Sequence, residues 1–490
     1  MSSAPVAPRW DGGQTIFVDG SWIGGAATYE RFDPSDTSRS TGRYAAATPE
    51  DVGRAYDAAS AAQPSWAART AVERGEVLTA AAEVLARDLE RAARRLTADI
   101  GKPIRDARGE VLRAVATLRY YAGELLQPSG QNYPSAAADT MLMTVEQPLG
   151  IICAITPWNF PAAIPIFKLA PAIGFGNAVV WKPAEAASGS AVLLAEAFEQ
   201  AGLPAGVLNL VTGRGSELSA ALMGDQRLRG VTFTGSNAVG ASIRQAVADR
   251  NVRVQLEMGG KNPAIVLRDA DLRDAANQVT RAAMIAAGQR CTATSRVYVD
   301  RPVAEEFLAY LREAVESLVV GDPFDETTDV GPLASDAQAA TVGEYLEIAA
   351  REHATIVAGD GAAPIGCFVR PTVLANVDPD SRLVREEIFG PVLVVEEVDG
   401  LDAALERANS SEYGLASAVF TRDLGAALEF VRRTESGLVC VNRETTGIES
   451  HVPFGGMKAS SSLSRELGKA ARDFFTVSKT VYMRVPPAGG

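Results

Sequence analysis

The chain has 490 residues, of which 47% are hydrophobic and 22% charged. At ~150 residues per domain this is about three domains of chain, with a core large enough to need no disulfide or metal staple. That composition excludes a disordered chain, and a net charge of −13 with no basic block excludes a nucleic-acid binder, since phosphate neutralisation supplies most of that affinity.

In chain order, the opening MSSAPVAPRWDGG has no apolar run, so no secretory signal is expected and the cytoplasm is the expected location. Thr15 to Ile23 predicts a hairpin turned by Asp19-Gly20. Thr48-Pro49-Glu50-Asp51 supplies an N-cap, a proline in the first turn and two acids, so a helix starts there. Leu78, Leu85, Leu89 and Leu96 form the apolar stripe of one long helix stopped by Gly101, and a third helix runs from about Asp106 to Leu126. Pro148 to Phe167 is uncharged and long enough to mimic a membrane span, but Pro157, Pro161 and Pro165 break it. It reads as a buried strand followed by a loop, and no membrane association is expected.

From Gly150 short apolar runs alternate with helical stretches such as Ser190 to Gln200. The runs are Ile151–Ile155, Ala178–Trp181, Val207–Val211, Val231–Thr234 and Val254–Leu256. Such alternation predicts a parallel α/β sheet. It restarts after Gly260 with Ala264–Leu267, a helix from Asp271, a strand at Arg296–Val299 and a helix from Pro302, which puts a domain boundary near residue 260. Phe474 to Met483 is β-rich, and an exposed strand edge wants a partner.

The chemistry is narrow. Four cysteines are too few for a disulfide framework and suit a reducing compartment. Two histidines, with no CxxC or HExxH, give no metal site. Cys291, in GQRCTAT, has small polar flanks, and the adjacent Arg290 is expected to favour the nucleophilic thiolate. Cys153 and Cys440 lie in apolar runs and read as small hydrophobes, while Cys367 falls in a loop. Glu257, before Gly-Gly, reads as a general base or a turn cap. Asn159, in TPWNFP, reads as an oxyanion donor or an Asx turn before Pro161. Val231 to Ser236 passes from strand to Gly-Ser to helix, which suits a phosphate, and Gly213-Arg214-Gly215 is a second small turn. Neither is a full GxGxxG. Lys182 and Glu185 follow a strand ending at Trp181, where they hold ribose hydroxyls or begin a solvated helix.

Together PWNFP (157–161), WKPAE (181–185), FTGS (233–236), LEMGGKNP (256–263), GQRC (288–291), EEIFGPV (386–392) and HVPFGGMK (451–458) make the sequence resemble the NAD(P)-dependent aldehyde dehydrogenase superfamily, from about Phe17 to Met483. The resemblance implies an α/β fold with a Rossmann-like dinucleotide-binding domain (10–127 and 148–258), an α/β catalytic domain (259–460) and a β oligomerisation arm (128–147 and 471–486) of a homodimer or homotetramer. It implies that Cys291 attacks an aldehyde, that Asn159 and the Cys291 N–H hold the oxyanion, and that Glu257 activates the water that hydrolyses the thioester. Lys182 and Glu185 take the role of adenosine-ribose contacts, and Gly215 and Ser236 that of the pyrophosphate and adenine region. Glu387 and Phe389 take the nicotinamide ribose and ring, joined by Ile155 and Trp158. Glu185 favours NAD, since an acid beside the 2′ position repels a phosphate, although NADP stays possible.

Phe160, Ile164 and Phe167, with Thr292, are expected to wall the substrate channel. Arg290 and Arg443 are the expected anchors of a distal carboxylate, with His451 orienting the loop around Arg443. The 451–475 tail, AIPIFK (163–168) and GQRCTATSR (288–296) resemble bacterial 2,5-dioxopentanoate (α-ketoglutaric semialdehyde) dehydrogenases, so that semialdehyde or a relative is the expected substrate. A broad-specificity enzyme for aliphatic or aromatic aldehydes is the alternative, and a non-catalytic homologue a remoter one.

Overall fold

The computed structural model describes residues 9–484. The expectations for the first eight residues, and for positions 485–486 of the arm, lie outside the described residues.

Two seven-stranded sheets organise the chain. In the first, five parallel strands run in the order Arg253–Glu257, Leu228–Thr234, Ile151–Thr156, Ala178–Pro183 and Leu208–Leu210. The antiparallel pair Ile16–Val18 and Ser21–Ile23 completes its edge. That pair is the expected hairpin, and Asp19 and Gly20 both take positive φ, as the tight turn requires. The second sheet runs Thr355–Ala358, Thr372–Ala375, Val392–Val398, Thr294–Asp300, Asn262–Val266, Ala416–Phe420, Leu438–Val441, parallel except at its first strand. The chain leaves the first sheet at Glu257 and enters the second at Asn262, the place where the strand–helix alternation restarts in the sequence. Strands buried on both faces, such as Ala178–Pro183, read as continuous apolar runs because helices cover each side.

Helix starts follow the local chemistry. Thr48 caps Pro49–Ala67 in a reciprocal capping box with Asp51. The single long helix expected through Leu96 is instead two, Ala71–Arg87 and Leu89–Ile100. Asp88 leaves helical geometry at ψ 21°, closes the first helix and opens the second. Leu78, Leu85 and Leu96 are still all buried, so one apolar pattern serves two segments. Gly101 ends the second in the left-handed conformation. The next helix, Ile104–Glu124, presents a long face to the site described below. The uncharged 148–167 stretch is a strand, Ile151–Thr156, a short loop, and the first turn of the buried helix Ala163–Gly174. No helix of the described residues is long and apolar enough to cross a membrane.

A third sheet stands apart. Thr476–Arg484 pairs antiparallel along the whole of Thr140–Pro148, with the short Asn132–Tyr133 beside it. Arg472, at its base, makes ion pairs to Glu124 and Glu146, each at 3.3 Å.

Candidate active site

In an open parallel sheet, ligands bind in the crevice beyond the carboxyl ends of the strands. Here those ends carry Ile155, Lys182, the Gly213–Gly215 turn, Thr234 and Glu257. Ile155 and Lys182 are direct register partners. A Cβ on Gly215 would stand 3.4 Å from Lys182 Nζ, so the missing side chain leaves room over the amine. Glu185 lies 3.8 Å from the exposed Arg214. Ser236 caps the helix Asn237–Ala246.

Across the crevice stands the loop that carries Cys291. Ala286, Ala287 and Gly288 all have positive φ, a tight left-handed turn between the helix Leu272–Met284 and Cys291. Gln289 braces it: its side chain accepts from Ala334 N–H at 2.9 Å, and its carbonyl accepts from Asn159 Nδ2 at 3.0 Å. On the far side Asn262 Nδ2 donates to the carbonyls of Cys291 and Ala293, both at 2.8 Å. Cys291 is therefore held from both flanks, and Asn159 is tied to its loop.

Two cavities, each about 240 Å³, meet at Cys291. One lies against Trp158, Ser236, Gly259, Glu387 and Phe389. Trp158 and Phe389 pack edge to face there, 5.4 Å between ring centres. The Gly260 N–H holds Glu387 Oε1 at 2.9 Å, and a Cβ on Gly259 would strike Oε2. Burial raises the Glu387 carboxyl to about 7. A flat aromatic wall, a buried acid and a side-chain-free backbone fit a nucleotide's ribose and ring.

The other cavity runs from Glu257 and Cys291 past Phe160, Ile164, Phe167 and Thr292 to the rim at Arg113 and Glu444. Lys102 Nζ sits 3.8 Å over the Phe160 ring and donates to the Asn159 carbonyl at 2.8 Å.

The acid–base groups are set by burial. The Cys291 thiol is pushed up to about 12, first by burial and then by the Glu387 and Glu257 carboxylates. The expectation that Arg290 would favour the thiolate is thus corrected: its guanidinium faces Asp106, 3.9 Å away. Glu257 is also raised well above the ordinary carboxylate range, by burial and then by Glu466. Its Oε2 accepts from the Ser461 hydroxyl, while Oε1 is buried without a partner. Glu466 is paired with Lys168, whose Nζ also reaches Thr232 at 3.2 Å.

Arg443 requires a second correction. Asn442, at φ 51°, turns the chain so that Glu444 lines the cavity while Arg443 is exposed and off it. His451 is exposed too, near Glu449. Cys153 and Cys367 are buried and Cys440 half-buried, all as free thiols.

Lys168, Glu466, Asn262 and Lys102 also belong to the site, though no motif in the sequence singles them out. Lys168 alone left a signal: it is the one charge in AIPIFKLAPAIG, and a cation inside an apolar helix needs a partner.

Comparison with known proteins places this geometry. Residues 22–481 match the aldehyde dehydrogenase family. An alpha-ketoglutaric semialdehyde dehydrogenase of Bacillus subtilis is 42% identical over 477 residues, 96% of this chain and 97% of its own. An alpha-ketoglutarate semialdehyde dehydrogenase of Haloferax volcanii is 42% identical over 474 residues, 95% of this chain and 98% of its own. A crystal structure of betaine aldehyde dehydrogenase from Staphylococcus aureus in complex with NAD+ superposes with a TM-score of 0.92 at 33% identity, covering 96% of this chain and 94% of that one. The chain belongs to the aldehyde dehydrogenase family and is an oxidoreductase.

Proposed function

We propose that the protein oxidises 2,5-dioxopentanoate, or a closely related semialdehyde, to the carboxylate with NAD. The carrying observation is that Cys291 stands in the wall of both cavities, one built for a nucleotide and one for an aldehyde. The Bacillus and Haloferax relatives bear that substrate in their names, and the Staphylococcus structure holds NAD+. Lys182 and Glu185 would hold the adenosine ribose, Gly215 and Ser236 the adenine and pyrophosphate side, and Glu387 the nicotinamide ribose. Trp158, Phe389 and Ile155 would support the rings. When bound, NAD supplies the hydride acceptor.

The chain does the rest. Cys291 Sγ, once deprotonated, bonds to the aldehyde carbon. The second Nδ2 hydrogen of Asn159 and the Cys291 N–H stabilise the oxyanion. After the carbon reaches the thioester level, the unpartnered Oε1 of Glu257 takes a proton from water, whose oxygen attacks the thioester carbon; the carbon–sulfur bond breaks, releasing the acid and returning Cys291 as its thiolate. Arg290, on the cavity wall, would meet the distal carboxylate. The apolar Phe160, Ile164 and Phe167 support a second reading, a broader aliphatic or aromatic aldehyde dehydrogenase. The three-stranded arm would join a second copy, and the free cysteines suit a reducing cytoplasm.

The test is reduced-nicotinamide formation by purified protein on 2,5-dioxopentanoate and a panel of other aldehydes, with NAD or NADP, beside Cys291→Ala. The expected result is the highest kcat/KM for 2,5-dioxopentanoate with NAD and none for the variant. A clear preference for an uncharged aldehyde overturns the substrate; activity in Cys291→Ala overturns the mechanism.

A further inference from the structure

The aldehyde cavity carries charges that the catalytic steps leave unused. Arg105, Asp106, Glu110 and Arg113 lie along one side of the Ile104–Glu124 helix and form one of its walls. Most of the cavity's charges are matched inside the chain. Lys102 pairs with Glu110, Glu466 with Lys168, Arg105 with Asp329 at 2.8 Å, and Glu444 meets Arg281 at 3.7 Å.

Two cations are matched less completely among the described residues. Arg290 donates no side-chain hydrogen bond among the described residues. Its Nε is buried without a partner, and its closest carboxylate is 3.9 Å away. Arg113, half-buried on the opposing helix, has neither an ion pair nor a side-chain hydrogen bond among the described residues. Burial most disfavours the Arg290 charge, Asp106 and Glu444 favour it in part, and Arg113, which lines the same cavity, disfavours it further. Like charges facing one cavity repel, and a single anion between them replaces that repulsion with charge-assisted, forked hydrogen bonds.

We propose that Arg113 and Arg290 form a two-sided clamp for the terminal carboxylate of the aldehyde, which makes Arg113 a specificity residue of this site. The proposal rests on the semialdehyde reading above and deepens it. Arg290, next to the nucleophile in the chain, sets the near jaw. Arg113, at the rim, sets the far one. The cavity therefore takes aldehydes with an anionic tail and rejects those with a quaternary ammonium tail, which meets two cations instead of an anion's two partners.

The experiment compares wild type, Arg113→Met and Arg113→Lys on 2,5-dioxopentanoate and on pentanal, an uncharged aldehyde of the same chain length. A forked bond to a charged group is worth about a 30-fold effect. In Arg113→Met the ratio of kcat/KM on 2,5-dioxopentanoate to that on pentanal should fall about 30-fold, through KM, and Arg113→Lys should recover part of it. A second measurement uses 2-oxoglutarate, the dicarboxylate product, as a competitive inhibitor of pentanal oxidation. Its Ki should rise in parallel. An unchanged ratio with an unchanged Ki overturns the clamp and leaves the semialdehyde reading standing. If wild type prefers pentanal and yet the Ki depends on Arg113, the semialdehyde reading fails and the clamp stands. Should Arg113→Met lose its fold, Arg113→Lys reads the same ratio, since it keeps the charge and removes the fork.

Discussion

In the proposed mechanism Glu257 and Cys291 divide the reaction between them, and single substitutions should separate its halves. Glu257→Gln keeps the shape of the side chain and removes the base. One turnover per site should still appear as a rapid burst of reduced nicotinamide, while the steady state falls about 100-fold or more. A stopped-flow trace with no burst would place Glu257 before the thioester instead. The pH dependence follows from the buried pair behind it. Glu257 works as a base only when deprotonated, and burial and Glu466 raise its pKa. Activity is therefore gained as pH rises through that raised value. Glu466→Gln removes the like charge and leaves Lys168 to favour the carboxylate, so the acid limb of kcat should move to lower pH. A limb that stays, or moves up, would show that Glu466 does not set the base. None of this coupling was legible in the sequence. Lys168 and Glu466 are 298 positions apart, and only the fold brings them together. Cys291, Glu257 and Asn159 were legible because each sits in a short motif that carries its own local geometry. Arg443 misled for the opposite reason. A loop side chain points where its backbone turns, and the positive φ at Asn442 has no strong mark in the sequence.

The turn before Cys291 is the element on which the site depends. Of three successive left-handed residues, the two alanines are costly, and they persist because Gln289, Asn262 and Ala334 fix the segment from outside. Gly288 has a further constraint, since a Cβ there would lie 2.2 Å from the Gly390 carbonyl oxygen. Gly288→Ala should thus displace the loop. A misplacement of ~1 Å at a reacting atom costs about 100-fold in rate, so kcat should fall by that order. NAD affinity, measured by quenching of protein fluorescence, should change less, because Lys182 and Glu185, the proposed adenosine-ribose contacts, lie at the end of another strand. Equal losses of both would mean that the loop supports the nucleotide site as well. The parallel strands, the hairpin and the capped helix were readable because each depends on residues close in sequence. The break at Asp88 was not. Burial of Leu85 and Leu96 satisfies the same stripe whether the helix bends or runs straight, so periodicity alone cannot see the joint.

At the scale of the molecule the arm sheet is the unfinished part. Three strands with no covering layer are marginal by themselves. Alternation along the pairing register sorts its side chains into two faces. Val477, Lys479, Val481 and Met483 share one, mostly apolar, with Met141, Met143, Val145 and Gln147, while Ser478, Thr480, Tyr482, Leu142, Thr144 and Glu146 share the other, more polar one. Met141 and Met483 are half exposed in the single chain. The mostly apolar face thus has no covering layer among the described residues, and a second copy offers the same face in return, as a two-fold contact requires. Asp at Val477 or at Val481 would place a charge in that contact, and light scattering should then report a smaller assembly than wild type. Thr480→Asp, on the polar face, is the control for charge alone and should keep the wild-type mass. Arg472→Met would act differently, by removing the cation that ties the arm to Glu124 and Glu146. Leaving a buried carboxylate unpaired costs about 3 kcal/mol, so this change should lower thermal stability first and mass only as a consequence. A monomeric wild type, or Asp variants of unchanged mass, would show that the arm's apolar face is not where two copies meet.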